Sequence, residues 1–150
     1  MYHAIVRRNV RKLFEALGRG DVDYAVAGMA PRFEHIFPGE HTLGGVRHTR
    51  PAIRAWLERT LRVLPGLRFD IEHMAVSGWP WHTTVVVEWR DYATLADGTA
   101  YVNDGAHAIQ LRWGKVVVLH AYLDTQIVVD AMRVMAQAGV EEAAAAKIED

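Results

Sequence analysis

The stretch of sequence that decides the fold is AYVNDGAHAIQLRWGKVVVLHAYLD, residues 100–124. Its side chains alternate with the period of a strand, which predicts two long strands joined by a tight turn at Gly114-Lys115. Ile109 and its apolar neighbours mark one face of the first strand as buried, yet Asn103 and His107 share that face. A buried polar group needs a hydrogen-bond partner. This face therefore predicts either hydrogen bonds inside a core or polar groups that line a pocket.

The composition is that of a single globular domain. The chain has 150 residues, of which 51% are hydrophobic, enough for one sizeable core. There is no uninterrupted apolar run of about 18 residues, which argues against a membrane span. The first residues also lack the apolar stretch of a secretory signal. With no cysteine and a formal net charge of −1, the chain fits a cytoplasmic location, and it lacks the concentrated basic surface that nucleic-acid binding needs.

Outside this stretch, apolar periodicity predicts the remaining elements. The helical period indicates four helices, over residues 3–18, 21–29, 49–64 and 127–137. We expect Asp21 and Thr49 to cap the second and third helices, and Asp124 to cap the last. Pro31 is expected to break the pattern before a short strand, and the glycine-rich segment after that strand is expected to be a loop. Strands are predicted over residues 32–37, 67–77 and 83–95, in addition to the two in the opening stretch.

This order of elements predicts an α+β domain with a cone shape. Three N-terminal helices are expected to pack on a strongly curved, mostly antiparallel sheet, with a helix at the C-terminal end. Strands of about 12 residues in one sheet must curl, and the concave face of a curled sheet is a natural pocket for a small molecule. The domain is expected to span residues 1–138. Residues 139–150 are expected to form a tail, either helical or disordered.

Polar side chains interrupt the apolar faces of four predicted strands: His35, His73, Asp91, and Asn103 with His107. His35 lies between two phenylalanines, and Asp91 follows Trp89 on the strand that pairs with the one carrying His107. The Asp-Gly turn at 97–98 predicts a register that brings Asp91 near Asn103 and within diagonal reach of His107. A carboxylate beside a histidine in an apolar cleft is suited to general acid–base chemistry. The alternative is a satisfied polar pair inside the core.

The sequence favours neither a metal nor a nucleotide cofactor. His35, His41 and His48 cluster around the glycine-rich loop, but their spacing matches no compact ligand pattern. The glycine-rich motifs that cradle phosphates and the nucleophile motif of serine hydrolases are also absent. We therefore expect no cofactor and no metal site.

Four segments carry a resemblance to a known family: residues 14–31, 37–45, 50–57 and 114–125. In these segments the chain resembles the NTF2-like superfamily, most closely its SnoaL-like branch of polyketide cyclases and ketosteroid isomerase-like proteins. The resemblance implies a cone-shaped α+β barrel with a deep hydrophobic pocket, often a homodimer formed through the sheet. The chain departs from the ketosteroid isomerase pattern, because the positions of its catalytic residues fall on Leu13 or Phe14, on Phe37 or His35, and on His107.

The leading hypothesis is a cyclase or isomerase that acts on an apolar carbonyl compound of polyketide type. His107 or His35 would move the proton and Asp91 would orient His107, while Asn103 and Tyr101 would hold the developing enolate oxygen. The apolar walls would come from Phe14, Phe37, Trp56, Trp89 and Ile109.

Two other hypotheses remain open. One is a binding or scaffold domain without chemistry, in which bulky aromatic side chains fill the pocket. The other is an interaction module whose outer sheet face forms a dimer, with Val116, Val118 and Tyr122 buried between subunits. For this last strand, Leu119 and Ala121 are expected to face inward and His120 outward, although a single bulge would exchange the two faces.

Overall fold

The computed structural model describes all residues, 1–150, as an α+β fold. The helices are α1 (Tyr2–Gly18), α2 (Val22–Ala27), α3 (Arg50–Val63) and α4 (Thr125–Gln137). The strands are β1 (Met29–Phe37), β2 (Gly45–Arg47), β3 (Arg68–Trp79), β4 (His82–Thr94), β5 (Ala100–Arg112) and β6 (Lys115–Leu123). One short 3-10 helix, Glu141–Ala144, follows α4. The predicted fold class is confirmed.

The strands form one open sheet in the order β2-β1-β6-β5-β4-β3. All neighbours are antiparallel except β1 and β6, which run parallel. Breaks in register within three of these pairings help the sheet to curl. The apolar faces of the helices pack with the concave side of the sheet in one core cluster of 30 buried residues. None of the helices combines the length and apolar character that crossing a bilayer requires.

The strand β1 begins earlier than the sequence predicts. It runs from Met29 to Phe37, and Pro31 lies inside it rather than before it. The register between β1 and β6 is broken between Met29 and Glu34. A proline has no backbone N–H to donate to a neighbouring strand. Pro31 lies within the register break, where β1 and β6 are not regularly paired, so it is tolerated there. The predicted loop after β1 also contains β2, which pairs with the end of β1.

The turn between β5 and β6 is a two-residue hairpin loop shifted by one position from the predicted one. Arg112 pairs with Lys115, so the loop is Trp113-Gly114. Both loop residues have positive φ, 50° and 78°, as a type I′ turn requires. The tight turn is therefore confirmed, and its predicted register is corrected by one residue.

A bulge sets which side chains of β6 face inward. The register with β5 shifts between Gln110 and Leu111, so that Val116 and Leu119 both lie in the core. Ala121 also faces inward, and His120 stacks on Tyr122 on the outer face with ring centroids 4.2 Å apart. The outward placement of His120 is confirmed. Val116 is only 4% exposed, so its predicted place on an outer dimer face is wrong.

The C-terminal residues pack along α3 and the edge of β2. The Thr42 hydroxyl donates to the Glu142 carbonyl at 2.8 Å, and Arg59 donates to the Ala146 carbonyl at 2.7 Å. The Asp150 carboxylate accepts hydrogen bonds from the backbone N–H groups of His48 and Thr49, at 2.8 and 2.9 Å. The Thr49 side chain makes no capping bond of its own. Thr49 is the N-cap residue of α3 as predicted, but its hydroxyl donates to Asp150 instead of accepting a bond from the first turn of the helix.

Candidate functional site

The site is a cavity of about 60 Å³ between the helices and the concave face of the sheet, which we name the inner cavity. Of its 21 lining residues, 17 are hydrophobic. Most of the predicted site residues line it: Phe14, His35, Phe37, Trp56, Trp89, Asp91, Tyr101 and His107. The topology thus brings these residues together from α1, α3 and three of the strands, β1, β4 and β5. Asn103 and Ile109 do not line it and are described below.

His107 lies on β5, is buried, and is held by one hydrogen bond. The indole Nε1 of Trp89 donates to Nδ1 of His107 at 2.8 Å. An indole N–H is only a donor, so the neutral imidazole carries its proton on Nε2. Burial lowers the pKa of His107 to about 4, and the nearby His120 acts in the same direction. At neutral pH the ring is therefore uncharged and offers an N–H donor at Nε2.

Asp91 lies on β4, is 5% exposed, and has an oxygen, Oδ1, without a hydrogen-bond partner. Its cross-strand neighbours are Phe69 on β3 and Asn103 on β5. Burial in these apolar surroundings raises its pKa to about 7 from an ordinary value of 3.8. A carboxyl group with this pKa is present in both protonation states at neutral pH, as a proton-transfer group requires.

The predicted hydrogen bond between Asp91 and His107 is absent. Asp91 is opposite Asn103 as expected, but His107 is opposite Val87. Val87 lies four residues from Asp91, about 13 Å along the strand. The indole of Trp89 fills the space between them and takes the Nδ1 bond of His107. The prediction that Asp91 orients His107 is therefore wrong.

Tyr101 stands closer to Asp91 than His107 does along the ladder. It lies two residues from Asn103, so it is a diagonal neighbour of Asp91. Burial, with the charge of Asp91 as a second cause, raises the pKa of the Tyr101 hydroxyl, which therefore keeps its proton. That hydroxyl accepts a hydrogen bond from Nδ2 of Asn103 at 3.3 Å. Its own proton remains free to donate into the inner cavity.

Asn103 and Ile109 have places other than the predicted ones. Asn103 Nδ2 also donates to the Asp124 carbonyl at 2.9 Å, so this residue ties β5 to the start of α4 and positions Tyr101. Ile109 is fully buried but lines a separate cleft of about 440 Å³ between α1 and the β5–β6 hairpin, which we name the outer cleft. Their predicted direct contacts with substrate in the inner cavity are therefore corrected.

His35 lies at the opposite side of the inner cavity, beside a buried arginine. Its ring meets Trp56 edge-on with centroids 4.5 Å apart, and its Nδ1 has no hydrogen-bond partner. Arg47 is its cross-strand neighbour on β2. Burial, and next the charge of Arg47, lower the pKa of His35 well below its ordinary value. His35 is therefore a neutral group at pH 7.

Arg47 is the residue near the site that sequence reasoning missed. It is fully buried, lies over the Trp56 ring at 5.2 Å, and donates to the Gly44 carbonyl at 3.1 Å. Burial lowers its pKa to about 10. Its Nε has no partner. A lone arginine in a glycine-rich segment carries no signal of burial in the sequence.

The histidines near the loop do not form a metal site. Nε2 of His41 bonds the Pro38 carbonyl at 2.9 Å, and His48 is exposed beside Asp150. No three of the histidine, aspartate and glutamate side chains are grouped so as to hold a metal ion. The polar groups of the inner cavity are thus suited to proton transfer and hydrogen bonding.

Comparisons with known proteins agree with this fold. The model of the SnoaL-like domain matches residues 10–119. No curated protein matches the chain in sequence. Three solved structures similar to the chain show its fold. An NTF2-like protein of unknown function from Burkholderia pseudomallei has a TM-score of 0.73 at 21% identity, over 86% of this chain and 95% of that one.

The other two similar structures have names that refer to cyclases. A candidate SnoaL-like polyketide cyclase from a Jannaschia species has a TM-score of 0.67 at 20% identity, over 86% of this chain and 90% of that one. SalBIII, an epoxide hydrolase/cyclase-like enzyme with a role in pyran ring formation in salinomycin, has a TM-score of 0.67 at 18% identity, over 80% and 91% of the two chains. With most of its length matched by the domain model, the chain belongs to the SnoaL-like family of the NTF2-like superfamily.

Proposed function

We propose that this protein is a cofactor-independent cyclase or isomerase that transfers a proton on an apolar, polyketide-like carbonyl compound. One observation carries the proposal. Asp91, with an unpartnered carboxylate oxygen, and Tyr101, a hydroxyl donor and its diagonal neighbour, line the same, largely apolar cavity. The family and the cyclase-like relatives support this class of reaction.

Asp91 is the proposed proton-transfer group. With a pKa of about 7, its ionised form accepts a proton from the carbon next to the carbonyl group. The protonated form then returns this proton to another carbon or oxygen of the substrate. A positioned group of matched pKa contributes about 10²- to 10⁴-fold to such a step.

Tyr101 is the proposed donor to the substrate oxygen. Negative charge develops on the carbonyl oxygen as the proton leaves, and a hydroxyl donor in a water-poor cavity stabilises that charge. Asn103 is a positioning residue, since its hydrogen bond to the Tyr101 oxygen directs the hydroxyl proton elsewhere. His35 and the Nε2–H of His107 are proposed to contact a second polar atom of the substrate, because both are neutral and line the far side of the cavity.

A second candidate function is a non-catalytic ligand-binding or scaffold domain. The observation that favours it is the small free volume, about 60 Å³, well below the ~300–1,000 Å³ of an ordinary ligand pocket. A carbonyl substrate of the proposed class therefore needs side chains at the rim to move. The half-buried lining residues Leu17, Phe37, Leu61 and Phe69 are the ones with room to do so.

Deuterium exchange separates the two functions. The wild-type protein in D₂O is expected to accelerate exchange of the α-hydrogens of 2-octanone, measured by proton NMR. Asp91→Asn is expected to lose about 100-fold or more of this rate, and Tyr101→Phe a comparable factor. Asp104→Asn is the matched control, because Asp104 lies on the exposed outer face and pairs with Arg90. Binding of 2-octanone with equal exchange in the wild type and in Asp91→Asn would support the binding domain instead.

The homodimer expected through the sheet stays a prediction. Val86, Val102 and Tyr122 are each more than 40% exposed on the outer face, which is the surface that such a dimer would cover.

A further inference from the structure

The inner cavity lies inside the curved sheet, and the outer cleft opens at the surface next to it, between α1 and the β5–β6 hairpin. On α1, Val6 and Val10 line the cleft and Leu17 lines the cavity. On β5, His107 lines the cavity, and Ile109 and Leu111 line the cleft. On β6, Leu119 lines the cavity and Val116 lines the cleft. Each of these elements therefore runs from one space into the other.

One side chain is shared by the two spaces. Leu13 is the only residue that lines both the inner cavity and the outer cleft. It is 8% exposed and comes from α1, the helix that covers this part of the sheet. Leu13 is thus in contact with both spaces.

The two spaces differ in size and in polar groups. The outer cleft measures about 440 Å³ against about 60 Å³ for the inner cavity, and ten of its 14 lining residues are hydrophobic. The titratable groups Asp91, His35 and His107 all line the inner cavity. The cleft has no carboxylate or histidine, and its titratable groups are Tyr2, Tyr24 and Lys115. It therefore offers mainly apolar contact area, as the binding site for an alkyl chain does.

We propose that Leu13 limits the chain length of the apolar substrate, by closing the inner cavity against the outer cleft. This inference rests on the proposed function, since it takes the carbonyl end of the substrate to lie beside Asp91 and Tyr101. A smaller residue at position 13 joins the two spaces, and the alkyl part of a longer substrate then extends along α1 into the cleft. Leu13 is thereby a specificity-determining residue.

A homologous series of linear methyl ketones, from 2-butanone to 2-dodecanone, tests the proposal through dissociation constants measured by calorimetry. Each added methylene that is buried strengthens binding about fourfold. In the wild type this gain is expected to stop at a short chain length. In Leu13→Ala the gain is expected to continue at about fourfold per methylene over longer chains, and Leu13→Val should fall between the two.

The control accounts for the loss of a buried leucine. Leu95 is 5% exposed and lines neither space, so Leu95→Ala should destabilise the fold while leaving the limiting chain length of the wild type. If Leu13→Ala destabilises the chain too far, Leu13→Val removes only one methylene and carries the test. An unchanged limit in folded Leu13→Ala or Leu13→Val would overturn the proposal, as would a crystal structure of Leu13→Ala in which the tail of bound 2-dodecanone avoids the cleft.

The deuterium-exchange rate distinguishes this inference from the proposed function. A longer limiting chain length in the Leu13 variants, with no deuterium exchange in the wild type, would support the role of Leu13 and contradict the catalytic role of Asp91. Deuterium exchange in the wild type, with the same limiting chain length in every Leu13 variant, would support the catalytic role of Asp91 and contradict the role of Leu13. Failure of every ketone to bind would overturn both.

Discussion

The indole of Trp89 donates a 2.8 Å hydrogen bond to Nδ1 of His107 and lies between this histidine and Asp91 on the concave face of the sheet. The contact depends on Gly105, which is the cross-strand neighbour of Trp89. A Cβ atom there would lie 2.6 Å from the Trp89 ring. The indole therefore divides the polar groups of the cavity into two sets, with Asp91 and Tyr101 in one and the neutral histidines in the other.

Replacing Trp89 with phenylalanine removes the donor to His107 while keeping an aromatic ring. We expect the imidazole proton no longer to be confined to Nε2, because nothing else bonds Nδ1. Nitrogen NMR of the histidine side chains should show the Nε2–H form in the wild type and a mixture in Trp89→Phe. The lost bond is expected to cost about 1 kcal/mol of unfolding free energy. The exposed Trp81 provides a control, since Trp81→Phe should change neither value; an unaltered His107 signal in Trp89→Phe would count against the assigned hydrogen bond.

Gly105→Ala should destabilise the chain, whereas Gly18→Ala should not. At position 105 a Cβ atom would also lie 2.7 Å from the Tyr122 backbone oxygen, so both the sheet and the indole must shift. We expect a loss of about 1–3 kcal/mol, as for an overpacked core. At position 18 the nearest atoms are 3.8 Å away, and alanine at a helix end costs little or stabilises. Chemical denaturation of both variants measures the difference; equal stabilities would refute the steric reason given for Gly105.

The sequence predicted the elements of the fold well because their signals are local. The alternation through β4 and β5, with the Asp-Gly turn between them, gives the pairing of Asp91 with Asn103 that the structure contains. Asp124 caps α4 as expected, accepting from the Gln126 N–H at 3.0 Å. Signals that depend on a distant partner were missed. β2 is three residues long and has no pattern of its own, and Asp150 reaches the start of α3 from the other end of the chain.

The members of the site could be predicted from the sequence, but their mutual contacts could not. Polar residues on an apolar strand face point to a pocket, and His35, Asp91 and His107 all line one. Which of them meet depends on register and on the volume of intervening side chains. Asp91 lies four residues along β4 from Val87, the residue opposite His107. The indole of Trp89 therefore makes the hydrogen bond to His107 that the sequence assigned to the carboxylate of Asp91.

Removing the carboxylate of Asp91 should stabilise the protein at alkaline pH. Its pKa in the folded chain is about 7, above the ordinary 3.8, so the native state binds this proton more tightly than the unfolded state. The associated stability is complete below pH 4 and is lost as the pH rises through 7. Asp91→Asn cannot ionise, and its stability relative to the wild type should rise by about 2 kcal/mol between pH 5 and pH 8.

Urea denaturation of both proteins at these two pH values checks the expectation for Asp91. Asp104→Asn is the control with the opposite sign, because the hydrogen bond from Arg90 holds the pKa of Asp104 below its ordinary value. That variant should be less stable than the wild type by the same amount at pH 5 and at pH 8, because Asp104 is ionised at both. A constant difference between Asp91→Asn and the wild type would show that Asp91 ionises in the folded state as it does in water.

Asp150 should stabilise the start of α3 and, through it, one wall of the inner cavity. Its carboxylate accepts from the backbone N–H groups of His48 and Thr49 and from the Thr49 hydroxyl, and α3 carries the lining residues Trp56 and Leu57. Asp150→Ala should lower the unfolding free energy at pH 7 by about 0.5–2 kcal/mol, as loss of a helix cap does.

The pH dependence identifies the carboxylate of Asp150 as the cause. The bond from Thr49 holds the pKa of Asp150 below its ordinary value, so its contribution is present at neutral pH and is lost as the pH falls through that lowered pKa. The wild type and Asp150→Ala should therefore converge in stability towards pH 2. Hydrogen exchange of the amides in the first turn of α3 should be faster in the variant at pH 7. Glu141→Gln, at an exposed position in the same tail, should leave this exchange unchanged; similar exchange in Asp150→Ala and the wild type would mean that α3 does not depend on this cap.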